Sequence, residues 1–274
     1  MVSVKKYSSG SLDCAVSWTE SIREPKSSFP FHYEISCKRR SGSPEMTLIA
    51  VVWSPEGFAI AADGREVSTD PENQPEDVQK IFYTSFANET GFAWAWVGGV
   101  RVDFGSGHRY DLKEITQRVM AGLPDDAYLD DPESYFDRIA FQIFSELPTD
   151  VSLPHRTDDE VIFVGYLAGK PLWREIIFQH RDTAFFPPVV TVPKVSLRDF
   201  YAFSGSPTIN KQMQNSGRLR QPLDISEAVS SVRTYAEMCV GSKVKDCENF
   251  GGTIHIATVT PTEFSWINPP VDPA

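Results

Sequence analysis

The chain has 274 residues, room for one large domain or two small ones around a sizeable core. A formal net charge of −11 argues against nucleic-acid and anionic-membrane partners, while the 41% apolar fraction is that of an ordinary globular protein. No apolar run is long enough to span a bilayer, and Cys14, Cys37, Cys239 and Cys247 lack the spacing of a zinc site.

The charge is uneven. Residues 1–46 hold seven Lys/Arg and five Asp/Glu, about +2, which leaves about −13 for the remainder. This stretch is rich in Ser, Pro and charge ("KSSFP", "KRRSGSPE") and shows no sustained periodicity, so it reads as an extension with no regular structure. It contains no signal-peptide apolar core, and a reduced, cytoplasmic setting is the default expectation.

From residue 47 the pattern sharpens. "LIAVVW", the turn "SPEG" and "FAIAAD" predict a hairpin over 48–63. Residues 66–79, with Pro71 and Pro75, predict a loop. A second hairpin follows over 80–97, across "ANET". "GSGHRYD", with His108, reads as a polar loop before a helix. Apolar residues at Leu112, Ile115, Val119 and Leu123 predict a helix over 111–123. Asp131 and Pro132 predict the start of a second helix running to 147. Its aromatic face (Tyr135, Phe136, Phe144) is expected to be incompletely covered by one chain, and so to mark an interface. Strands are expected at 160–167, 172–180 and 199–203, a helix at 225–240, and a closing hairpin in "TIHIATVT" and "EFSWI". Hairpins alternating with pairs of helices favour two antiparallel sheets with helices outside, not a doubly wound parallel sheet.

"TLIAVVWSPEGFAIAADGR" and "QKIF" resemble the start of a mature proteasome β-type or HslV-like subunit, among the N-terminal nucleophile hydrolases. The spacing from Thr47 to Asp63 matches without a gap, and Lys80 needs about one inserted loop residue. "WVGGVRVD" is similar to the oxyanion segment, with Gly99 and Asp103 the better fit and Gly98 the rival. "FSGSP" supplies Ser204. "DCENFGG" supplies Asp246 but has Asn249 where the family places a serine, and its glycines come one residue late.

The resemblance implies an α+β, four-layer αββα sandwich over residues 47–274, with residues 1–46 a propeptide or a mis-assigned start. It also implies a threonine-type peptidase within a homo-oligomeric ring. A threonine hydroxyl needs a base, and at a chain terminus its own amine, with an unperturbed pKa of about 8, can serve. The candidate catalytic residues are therefore Thr47 as nucleophile, Lys80 and Asp63 as the electrostatic pair, Gly99 as oxyanion donor, and Ser204 and Asp246 as supports. The expected substrate is a peptide or unfolded protein, with no cofactor, metal, nucleic acid or membrane. Two alternatives remain: an inactive, α-type-like structural subunit, and a small-molecule amidase. Because an acylated amine is not a base, either self-cleavage before Thr47 or initiation at Met46 with methionine trimming is required. Glu45 and Met46 lack the glycine usual before a self-cleaving threonine, and this favours initiation at Met46.

Overall fold

The computed structural model describes residues 4–9, 12–17, 47–65, 77–86, 89–98, 101–103, 109–123, 132–147, 158–167, 169–181, 184–185, 187–192, 200–217 and 219–271. The chain divides into two compact units, Met1–Ser43 and Pro44–Ala274. In the first, β1 (Val4–Ser9) and β2 (Leu12–Ser17) pair antiparallel, Val4 opposite Ser17. The expectation of no regular structure is corrected at these strands. They pair through the backbone and lack the apolar alternation by which a strand is read.

The second unit is an α+β sandwich of two antiparallel sheets with helices on both outer faces. β3 (Ile49–Ser54) and β4 (Gly57–Asp63) form the expected hairpin, Ser54 opposite Gly57. Here Pro55 and Glu56 make the tight turn, and the Ser54 hydroxyl donates to the Gly57 carbonyl at 3.2 Å. The next hairpin, β5 (Ile81–Phe86) and β6 (Glu89–Val97), lies in the other sheet. A short hairpin of β7 (Arg101–Asp103) and β8 (Arg109–Asp111) follows, which corrects the reading of "GSGHRYD" as loop at its last three residues; His108 lies outside the described residues.

Asp111 caps α1 (Leu112–Gly122), its carboxylate accepting from the Lys113 and Glu114 amides. Then come α2 (Pro132–Glu146), β9 (Asp158–Leu167), β10 (Lys170–Arg181), β11 (Ala184–Phe185), β12 (Val189–Thr191) and β13 (Tyr201–Ser204). The helix α3 (Pro207–Asn215) escaped the sequence pattern because its buried residues are only Ile209 and Met213, too few to show a period. It is defined instead by its start: the Ser206 hydroxyl accepts from the Ile209 amide, and proline stands at the first position. Next come α4 (Ile225–Val240), β14 (Ile254–Val259) and β15 (Phe264–Asn268).

One sheet runs β13-β3-β4-β14-β15; the other runs β11-β10-β9-β6-β5, with β12 also on β10. α1 and α2 cover the second sheet through an aromatic core that includes Trp94, Trp96, Phe136 and Phe163. α3 and α4 cover the first through Leu48, Ala50, Ala61, Val232 and Tyr235. A third apolar layer, with Ile49, Val51, Ile60, Ala95 and Ile162, lies between the sheets. Tyr135 and Phe136 are fully buried within their own chain and Phe144 packs against the same core, so the expected aromatic interface is corrected. Both helical faces that carried the periodicity are used in building the monomer.

Candidate active site

Four chain segments meet at one end of the sandwich. β3 approaches with Thr47 just before it, β4 ends at Asp63, Lys80 stands just before β5, and Gly251 lies in the segment leading to β14. The β3–β4 ladder runs down to Ile49 opposite Ala62. One step further the Leu48 amide donates to Asp63 Oδ1, at 3.1 Å. The carboxylate thus pins the backbone immediately after Thr47.

Asp63 is fully buried, and a buried carboxylate persists only where donors replace water. Lys80 Nζ lies 2.8 Å from Oδ1, and the Gly251 amide donates to Oδ2 at 3.3 Å. Lys80 is also largely buried, at 13% side-chain exposure, and its ammonium donates to the Arg65 carbonyl at 2.6 Å. The result is a compact ion pair walled by backbone groups, with Thr47 adjacent through Leu48. Arg65 secures the opposite wall. Its amide donates to the Gly251 carbonyl (3.0 Å) and its guanidinium to the Phe250 carbonyl (3.4 Å). The guanidinium lies so close over Gly251 that a Cβ there would stand 2.3 Å from its central carbon. A side chain at Gly251 would displace the Arg65 guanidinium from its place beside the Phe250 carbonyl.

Thr47 is 8% exposed, and its hydroxyl donates to the Gly98 carbonyl at 3.5 Å, a long bond at the end of β6. Gly98 has φ +115°, in the region that favours glycine. The group it presents to the hydroxyl is its carbonyl, an acceptor. Gly99, the expected oxyanion donor, lies outside the described residues, and so does the side chain of Asp103.

Ser204 ends β13 directly opposite Ile49 of β3, two residues from Thr47 along that strand. Asp246 sits at the start of α3 and accepts from the Thr208 amide at 3.1 Å. Burial would raise its carboxyl; hydrogen bonds from the Thr208 amide and from the Thr208 and Ser206 hydroxyls outweigh this and hold it below the ordinary range. Asp246 therefore braces the helix entered from the Ser204–Gly205 turn. Asn249, where the resemblance expects a serine, is half-buried two residues before Gly251.

The sequence motifs thus converge for Thr47, Asp63 and Lys80. Reading by residue type overlooked Gly251, whose amide completes the Asp63 shell, and the pair of His255 and Asp77 beside it. A histidine at a core position of "TIHIATVT" was the available signal. Among the described residues no group of His, Cys, Asp and Glu could hold a metal ion, and no helix is long and apolar enough to cross a membrane.

No family model and no curated protein matches the chain. Solved structures do match, at low identity. The Gly-1 mutant of Anbu from Hyphomicrobium sp. strain MC1 is 12% identical, with TM-score 0.55, over 82% of this chain and 88% of that one. Anbu, described as an ancestral beta-subunit, from Yersinia bercovieri is 11% identical, with TM-score 0.53, over 81% and 87%. A further Anbu structure from Hyphomicrobium sp. strain MC1 is 14% identical, with TM-score 0.52, over 83% and 89%. These likenesses show the fold alone: the layered α+β sandwich of two antiparallel sheets is shared with the Anbu structures. They correct the resemblance to proteasome β-type and HslV-like subunits as a statement of membership: the matching structures are Anbu proteins, and no family model supports the narrower assignment.

Proposed function

We propose that the chain is a threonine-type hydrolase of peptide or amide bonds, working from a free N-terminal Thr47. The observation that carries this reading is the Asp63 carboxylate, which holds the Leu48 amide and the Lys80 ammonium on the same oxygen. A buried positive charge is thereby fixed one residue from the hydroxyl, where it favours the alkoxide character of an attacking oxygen and keeps a nearby amine unprotonated.

In the proposed cycle the Thr47 amine takes the hydroxyl proton as Oγ1 attacks the substrate carbonyl. The proton passes to the departing amine as the C–N bond breaks, leaving an ester on Thr47. Water, deprotonated by the same amine, then cleaves the ester and restores the hydroxyl. The Gly99 amide is assigned to the developing oxyanion, with Ser204 and Asp246 holding the strand and helix beside Thr47. The proposed chemistry uses side-chain, amine and backbone groups of the chain and calls for no cofactor. By this reading residues 1–46 are absent from the working enzyme, with Met46 as the start and its trimming as the simpler route. The reading takes peptides or unfolded proteins as substrates, cleaved inside a homo-oligomeric ring in the cytoplasm; the description of the Yersinia bercovieri neighbour as a beta-subunit supports only that such a chain assembles with others.

The test is a chain begun at Met46. It is expected to have the mass of a chain starting at Thr47, to cleave fluorogenic peptide amides, and to lose that activity in Thr47→Ala and Lys80→Ala while staying folded. Activity that survives Thr47→Ala rejects the mechanism. Cleavage of small amides by a monomer or dimer, with peptides untouched, redirects the substrate and rejects the ring.

A further inference from the structure

We infer that His255 and Asp77 form a clamp that positions Lys80 against Asp63; the inference rests on the threonine-hydrolase reading above. His255 occupies a core position of β14, opposite Ala62 of β4, and is fully buried. A buried imidazole is costly without a partner. Its Nε2 lies 2.6 Å from Asp77 Oδ1, whereas Nδ1 finds no partner among the described residues. Among the described residues the ring's polar tie is therefore to Asp77. The Asp77 carboxyl is held below the ordinary range, first by the hydrogen bond from His255. An ionised carboxylate only accepts, which assigns the ring hydrogen to Nε2.

Asp77 collects donors from three places. Besides His255 of β14, the Val271 amide, beyond β15, donates to Oδ2 at 2.8 Å, and the Thr253 hydroxyl, two residues after Gly251, also donates. The carboxylate thereby joins the segment that delivers Lys80 to the segment that closes Asp63 from the other side. Between Asp77 and Lys80 the chain is held at each step. The Val78 amide donates to the Gly64 carbonyl (2.8 Å), and the Gln79 side chain donates to the Ile81 carbonyl (2.8 Å). Lysine has four rotatable bonds in its stem, so Nζ keeps its places 2.8 Å from Asp63 and 2.6 Å from the Arg65 carbonyl only if its backbone is fixed. The clamp supplies that fixed point from outside the catalytic set.

The inference makes His255 and Asp77 positioning residues, and it predicts a loss confined to turnover. In the chain begun at Met46, with a fluorogenic peptide amide as probe, Asp77→Ala is expected to lower kcat by about tenfold to a hundredfold and leave KM within about twofold. Asp77→Asn keeps the shape and is the variant to rely on if the alanine does not fold. Its amide presents a donor where His255 or Val271 also donates, so kcat is expected to fall several-fold. Asp77→Glu, which restores a carboxylate, is expected to recover part of the rate. A folded Asp77→Asn chain with wild-type kcat overturns the clamp, as does a loss carried entirely by KM. Thr47→Ala and Lys80→Ala separate the two failures. Both inactive beside a full-speed Asp77→Asn removes the clamp alone, while an active Thr47→Ala removes the hydrolase reading beneath it.

Discussion

The helix-facing surfaces of the two sheets are built from different residues. The β5–β6–β9–β10 sheet meets α1 and α2 with Phe82, Phe92, Trp94, Trp96, Phe163 and Phe178. The sheet that carries Thr47 and Asp63 meets α3 and α4 with Leu48, Ala50, Val52, Ala59 and Ala61. In the first, large rings interlock: Phe82 with Trp94 at 4.5 Å between centroids, Phe92 with Phe136 at 5.3 Å. In the second, β3 and β4 present mostly small residues (Ala50, Ala59, Ala61) to α4, while a ring stack of Phe203 with Tyr235, 4.1 Å between centroids, lies at the edge strand β13. Bulk stabilises the scaffold; close backbone approach places the site. The groups around Asp63 fit this division, since two of its three donors among the described residues are main-chain amides, from Leu48 and Gly251.

Substitutions can separate the two roles. Thr47→Ala is expected to give the largest effect, a loss of turnover of more than about a thousandfold, with thermal unfolding unchanged. Asp63→Ala is expected to affect both properties, because it strands a buried ammonium and two amides. A loss of about 3–5 kcal/mol is expected in denaturant titration, along with activity. Trp94→Ala in the aromatic sheet should cost a similar amount, about 3–5 kcal/mol, yet leave kcat per folded molecule intact. Ala61→Val, on the alanine face, is expected to cost about 1–3 kcal/mol through overpacking and to lower kcat as well. If Trp94→Ala slows turnover and Ala61→Val does not, the division between the sheets is wrong.

The same contrast explains what could be read from the chain. The hairpins at 48–63 and 80–97 and the helix at 225–240 carry dense apolar patterns, so they were legible, and with them the αββα layering. Thr47, Asp63 and Lys80 were legible because they sit at strand ends in a spaced motif. α3 was not, since two buried residues and a cap make no period. Tyr135 and Phe136 were expected to be incompletely covered by one chain because a helix alone does not show which sheet will cover it. Gly251 and His255 were missed for another reason. They act on Asp63 and Asp77 across sequence separations of 188 and 178 residues, and no local pattern records such pairings.

The smallest effect is expected in acid, and it tests whether the site end gives way before the aromatic sheet. Asp77 and Asp246 both have carboxyls held below the ordinary range. For Asp77 the first cause is the hydrogen bond from His255. For Asp246 burial acts first and in the opposite direction, and is outweighed by the amide and hydroxyl of Thr208 and the hydroxyl of Ser206. A carboxyl whose folded pKa is depressed contributes stability that is fully present above its unfolded pKa, about 3.9, and is lost as pH falls through the folded value. Loosening should therefore begin below about pH 4 and start where these carboxylates act, at the α3 N-terminus and at the junction of β14 with residues 77–80. Amide exchange at Thr208 and Val271, whose N–H groups bond to these two carboxylates, should rise first. Amides of the β9–β10 ladder should stay protected until global unfolding. Asp246→Asn should flatten the acid response at Thr208 and leave that at Val271 unchanged. An Asp246→Asn chain with the wild-type acid profile at Thr208 would show that this carboxylate does not hold the helix, and would remove it from the support assigned to Thr47.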